Sequence, residues 1–272
     1  VSGRVAAKLG ILAGGGVLPR LVADAASAAG RPVHILAFDG FCDDATLRGY
    51  AYDRIPLAKV GRLFAALRAA ACEDIVLAGP VRRPTLLDIR PDWAGFAAML
   101  RLLPVWRGDA SLLARVLALI EAEGFTAVGA HDIVPDLLAS ERVYGGTAPD
   151  AAALADIAVG LAAARALGAR ERGQAVLVRG GRLVGEEARG GTSALLRRPG
   201  IAGAVLVKAA MPAQDRRVDL PTAGAATVAA AAQAGLRGIA LEAGNALLLE
   251  REAAIAAADR AGIFVAGACA KN

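Results

Sequence analysis

Short apolar runs, each closed by glycine and most followed by a stretch with helical spacing, organise the first third of the chain. Residues 8–13 run into Gly14, Gly15 and Gly16, and residues 19–29 then place Leu21, Val22, Ala25 and Ala28 at helical intervals. A second run, 33–38, ends at Asp39 and Gly40. A helical stretch, 60–71, sets Leu63, Phe64 and Leu67 apart from Arg62 and Arg68, and a third run, 74–78, closes on Gly79 and Pro80. Apolar runs without polar alternation suit strands covered on both faces, and their alternation with helices predicts a parallel sheet. Right-handed crossovers then bring the glycine triplet, Asp39 and Gly79 to one sheet edge, with Pro80 beside it.

Helical stretches over 93–103 and 112–123 follow, separated by Pro104 and the turn at Arg107, Gly108 and Asp109, and 126–130 reads as a strand. The segment 140–150, rich in Gly, Pro, Thr and charge, is the expected linker. Beyond it the pattern mixes helix (151–167), a hairpin signal at Gly180-Gly181 between 175–179 and 183–185, a strand at 204–208, an alanine-rich helix at 223–234, strands at 238–241 and 246–249, a helix at 253–261 and a strand at 263–266. The chain is expected to be α/β: an N-terminal Rossmann-like parallel-sheet domain (1–139), the linker, and a C-terminal mixed α/β domain (151–272).

Composition excludes several functions. Aromatics are 4 % of 272 residues, too few for nucleic-acid stacking platforms, and the net charge of +5, carried mostly by the second half, makes no phosphate-tracking stripe. An anionic small molecule fits that half better. Three cysteines, Cys42, Cys72 and Cys269, without CxxC spacing, and two histidines, His34 and His131, supply neither a disulfide framework nor a zinc cage. No run of 18 uncharged apolar residues exists. Arg4 and Lys8 before an apolar run imitate an export signal, but Gly14, Gly15, Gly16 and Pro19 interrupt it, so the run reads as a buried strand.

Four constellations can carry chemistry. The glycine triplet, with Asp39 at the end of the next strand, suits a nucleotide phosphate and ribose, or simply tight strand–helix packing; Pro19 stands where a dinucleotide fingerprint needs glycine. Lys208 ends an apolar strand and opens a loop holding Gln214, Asp215, Arg216, Arg217, Asp219 and Thr222 between Pro212 and Pro221. Its cations suit a phosphate, and Asp215 and Asp219 suit a divalent metal. Glu187 adds a further candidate ligand before Gly190-Gly191-Thr192-Ser193, where Thr192 and Ser193 either face an anion or cap a helix. Finally, Trp93, Phe96, Met99, Leu100, Leu103 and Trp106 share one helical face, as core or as a slot for a lipid chain.

Three stretches together are distinctive: Lys8-Leu9-Gly10-Ile11-Leu12-Ala13-Gly14-Gly15-Gly16, Leu77-Ala78-Gly79-Pro80-Val81-Arg82-Arg83-Pro84, and Gln214-Asp215-Arg216-Arg217-Val218-Asp219-Leu220-Pro221-Thr222-Ala223-Gly224. They resemble the UDP-2,3-diacylglucosamine pyrophosphatases of lipid A biosynthesis, of the metal-dependent type unrelated to calcineurin-like phosphoesterases. The resemblance implies two domains with substrate between them. It also implies Mg²⁺-assisted attack of water on the α-phosphate, giving lipid X (2,3-diacylglucosamine 1-phosphate) and UMP. Asp219 would be catalytic, with Lys208, Gln214 and Arg216 in the same site. The family pattern has Glu-Gly-Thr-Asp where this chain has Gly190-Gly191-Thr192-Ser193, and Gly-Asp-Asp where it has Gly108-Asp109-Ala110. A cytoplasmic Gram-negative enzyme that touches the inner membrane transiently follows as an expectation, and a homodimer is compatible with it. A nicotinamide-dependent oxidoreductase and a non-catalytic nucleotide-sugar or lipid-binding protein are the rival readings.

Overall fold

A computed structural model describes residues 7–81, 109–188, 190–212 and 215–269. The apolar face from Trp93 to Trp106 and the candidate Gln214 lie outside the described residues. The chain divides into two compact units, Val1–Pro135 and Asp136–Asn272.

In the first unit, strands β1 (Leu9–Ala13), β2 (Val33–Phe38), β3 (Ala51–Ile55), β4 (Asp74–Ala78) and β5 (Thr126–Val128) form a sheet in the order β3-β2-β1-β4-β5. Every pairing is parallel. Central β1 is buried along its whole length, which is why its sequence shows no alternation. Helix α1 (Leu18–Ala28) begins with proline in its first turn, where the missing N–H has no partner to lose, and buries Pro19, Val22, Ala23 and Ala26. Helix α2 is the short turn Asp44–Leu47, α3 is Val60–Ala69, α4 is Asp109–Ala122 and α5 is Ala130–Ile133. Strand β3 has no counterpart among the predicted elements. It is an edge strand whose first two residues are exposed and which carries Asp53 and Arg54, so it lacks the apolar run that marks its neighbours.

The second unit is a six-stranded sheet in the order β6-β13-β11-β9-β7-β8. Its strands are β6 (Arg142–Tyr144), β7 (Ala175–Arg179), β8 (Arg182–Glu186), β9 (Val205–Lys208), β11 (Gly238–Glu242) and β13 (Phe264–Ala268). β9, β11 and β13 run parallel, while β6, β7 and β8 join antiparallel. The stretch 140–150, expected as a linker, thus contains a strand paired to β13. Three residues are too few for a period-2 pattern to register. A separate pair, β10 (Thr222–Ala223) and β12 (Leu247–Leu248), is parallel.

The strand period of two divides the second core. Val205 and Val207 face helix α6 (Ala151–Ala169), through Ala153, Ile157, Leu161 and Ala164. Leu206 faces the opposite cluster, with helices α8 (Ala225–Gln233) and α9 (Arg251–Ala261) and the short α7 (Gly191–Leu195). Helix α6 is apolar and, at 19 residues, long enough to cross a membrane by composition. Its buried Asp156 caps the β7–β8 hairpin instead, accepting from the Gly180 and Gly181 amides at 3.1 and 2.6 Å. Both glycines have positive φ, as the two-residue turn read from the sequence requires.

Candidate functional site

The first unit brings its glycines together as the parallel register demands. Ala13 pairs with Ala37 and Ala78, so Gly14, Asp39 and Gly79 follow the ends of three adjacent strands. The amides of Gly14 and Gly15 do not point at an open phosphate cradle. Gly14 donates to the Ala78 carbonyl at 2.8 Å and Gly15 to that of Pro80 at 2.9 Å. A Cβ on Gly14 would lie 2.6 Å from the Gly79 carbonyl oxygen, so the glycine stands where two loop backbones press together. Gly16 and Asp39 are exposed on the same edge. The dinucleotide reading needs amides that this packing has already engaged.

In the second unit the sequence candidates converge around Lys208. The alternation that sends Leu206 toward α8 and α9 sends Lys208 to the same face. Lys208 is 5 % exposed; its Nζ donates to Thr192 Oγ1 at 3.0 Å and to the Thr222 carbonyl at 2.8 Å. The Thr192 hydroxyl donates in turn to Glu187 Oε1 at 2.7 Å, and Glu187 Oε2 accepts the Gln174 amide at 2.8 Å. Strand β7 explains the meeting. Lys208 lies opposite Ala175 on one side, and the Glu187 amide donates to the Ala175 carbonyl on the other. Burial pushes the Lys208 ammonium below its ordinary pKa, against the opposing pull of Glu187 and Asp219. Asp219 is half-buried and close enough for its charge to act on Lys208. Thr192 lies inside α7 and makes no helix cap, and Ser193 is exposed.

The loop after β9 is tied down by its own charges. Asp215 accepts Arg217 Nε at 3.0 Å and Nη2 at 2.7 Å, and the Arg217 guanidinium holds its carboxyl below the usual range despite partial burial. Arg216 Nη2 reaches the Gly244 carbonyl at 2.6 Å. A third tie is absent from the predicted site. Glu242, 2 % exposed at the end of β11, accepts the Ala210 amide at 2.8 Å and Arg165 Nε at 2.8 Å. Its sequence signal is the one that marked Lys208, a charge closing an apolar strand. Replacing Arg165 with Met leaves Glu242 buried without its cation. A loss of about 2 kcal/mol is expected, read as a lower denaturant midpoint at unchanged slope.

Among the described residues, Asp219, Asp215 and Glu187 are not gathered into one group of carboxylates. Each Glu187 oxygen accepts one hydrogen bond, and Asp215 pairs with Arg217. Among the described residues no group of three or more His, Cys, Asp or Glu side chains can hold an ion. What the site offers a diphosphate is a buried ammonium, two loop arginines and one half-buried carboxylate, Asp219.

Comparison with known proteins covers most of the chain. A family model of the LpxI N-terminal domain matches residues 8–137, and one of the LpxI C-terminal domain matches residues 140–266. The UDP-2,3-diacylglucosamine pyrophosphatase LpxI of Caulobacter vibrioides is 40 % identical over 272 residues, covering 96 % of this chain and 97 % of that protein. With both domains matched in order and that identity holding over 96 % of its length, the chain belongs to the LpxI family.

Proposed function

We propose that the chain hydrolyses UDP-2,3-diacylglucosamine in lipid A biosynthesis, releasing UMP and 2,3-diacylglucosamine 1-phosphate. Family membership supports the substrate. The observation that carries the chemistry is the buried Lys208 ammonium with the Asp219 charge acting on it, at the mouth of an arginine-bearing loop. In the reaction a water oxygen bonds to the α-phosphorus and the bond to the bridging oxygen breaks. That oxygen leaves with the sugar phosphate, and the water's proton goes to solvent or base. Lys208 and Arg216 offset charge on the diphosphate as it develops. Both roles open to Asp219, holding a cation and orienting the attacking water, need its negative charge. Magnesium enters this reading through Asp219 alone, with phosphate oxygens and waters as the other ligands, an ordinary arrangement for this ion. Bound there, it would neutralise phosphate charge and lower the pKa of its water. The diacylated substrate implies brief contact with a membrane surface.

The test is turnover in oxygen-18 water. UMP is expected to carry the label and the lipid product none, and chelation by EDTA is expected to slow release at least about 100-fold. Label in the lipid product would move the attack to the β-phosphate. An EDTA-insensitive rate would remove the metal, and absence of UMP would end the assignment.

A further inference from the structure

The proposed reaction uses Lys208 but leaves unexplained why a carboxylate, Glu187, is buried two hydrogen bonds away from it. Glu187 is 9 % exposed, and both of its oxygens face donors, the Thr192 hydroxyl and the Gln174 amide. An ionised carboxylate only accepts. The Thr192 proton is therefore held on Glu187, which turns the lone pairs of Oγ1 toward Lys208 Nζ at 3.0 Å. A second ammonium proton is fixed on the Thr222 carbonyl at 2.8 Å. An ammonium has three protons, and fixing two sets the direction of the third. We propose that Glu187 is a positioning residue that acts through Thr192 to hold the Lys208 ammonium in its working orientation. This rests on the phosphohydrolase reading above.

A double-mutant cycle tests it. Thr192→Val removes the hydroxyl at constant shape and is expected to lower kcat about 30-fold with KM within about threefold, while Thr192→Ser restores kcat to within about threefold of the parent. Glu187→Gln is expected to lower kcat about 10-fold alone and to add nothing in the Thr192→Val background. Multiplying losses, or a raised Mg²⁺ requirement in Glu187→Gln that Thr192→Val does not share, would overturn the proposal. A second readout needs no turnover. The chain has four lysines, so nitrogen-15 NMR of their ammonium groups at mildly acidic pH isolates Lys208 by its loss in Lys208→Arg. Its protons are expected to exchange slowly with water in the parent and in Thr192→Ser, and fast in Thr192→Val and Glu187→Gln. Fast exchange in the parent, or slow exchange in all variants, sinks the positioning role. If the parent releases no UMP, the reaction assignment fails while the NMR result still decides how Lys208 is held.

Discussion

Asp219→Asn is expected to lower UMP release from UDP-2,3-diacylglucosamine about 1000-fold, with KM little changed and the fold intact. Asparagine keeps the size and one carbonyl oxygen of the side chain and removes only its charge. That charge is felt by the buried Lys208, so it sits within electrostatic reach of whatever the ammonium holds. Asp215, four positions earlier, is the control. Its carboxylate is clamped by Arg217, so Asp215→Asn is expected to loosen the loop and raise KM more than it lowers kcat. The two roles open to Asp219 then separate by titration. Partial recovery of Asp219→Asn at raised Mg²⁺ identifies a metal-holding carboxylate, and a flat response identifies one that orients water. A rate within threefold of the parent would take Asp219 out of the chemistry.

The largest expected effect on stability is at Gly79, which follows β4 in the first unit. Its φ is +84°, and a Cβ there would lie 2.2 Å from the Gly15 carbonyl oxygen. Left-handed backbone alone costs a side chain roughly 1 kcal/mol. The clash adds to that, because the obstacle is backbone of the loop after β1 and cannot swing aside. Gly79→Ala is expected to cost about 3 kcal/mol and to lower the melting temperature of the first unit by about 10 °C. Gly40 has nearly the same φ, +77°, and nothing within 4 Å of its built Cβ. Gly40→Ala is therefore expected to cost only about 1 kcal/mol. Equal melting curves for the two variants would show that the loops do not pack as described.

Local periodicity made much of this architecture legible. β1, β2, β4, β9 and β11 are apolar runs because both faces of their sheets are covered, and Gly180-Gly181 marks its hairpin because few other residues adopt positive φ twice in succession. β3 and β6 escaped: one is a charged edge strand, the other three residues long. The residue pattern led to Lys208, Asp219 and the loop between them, and the family resemblance singled out Asp219 within it. Residue type also offered Glu187 and Asp215 as metal ligands, and it says nothing of the donors that reach them in the fold, Thr192 and the Gln174 amide for one and Arg217 for the other.

That division has a physical cause. Which face a side chain takes depends on its own neighbours in the chain, so composition, period and glycine placement already determined the two α/β cores and put Lys208 at a strand end. Which hydrogen bond it makes depends on segments far away in sequence. Arg165 meets Glu242 across 77 positions, and Glu187 meets Lys208 through Thr192 only because β7 lies between their two segments. Likewise the amides of Gly14 and Gly15 were donors in the sequence, and only the packing of the β4 loop decided that they serve the fold.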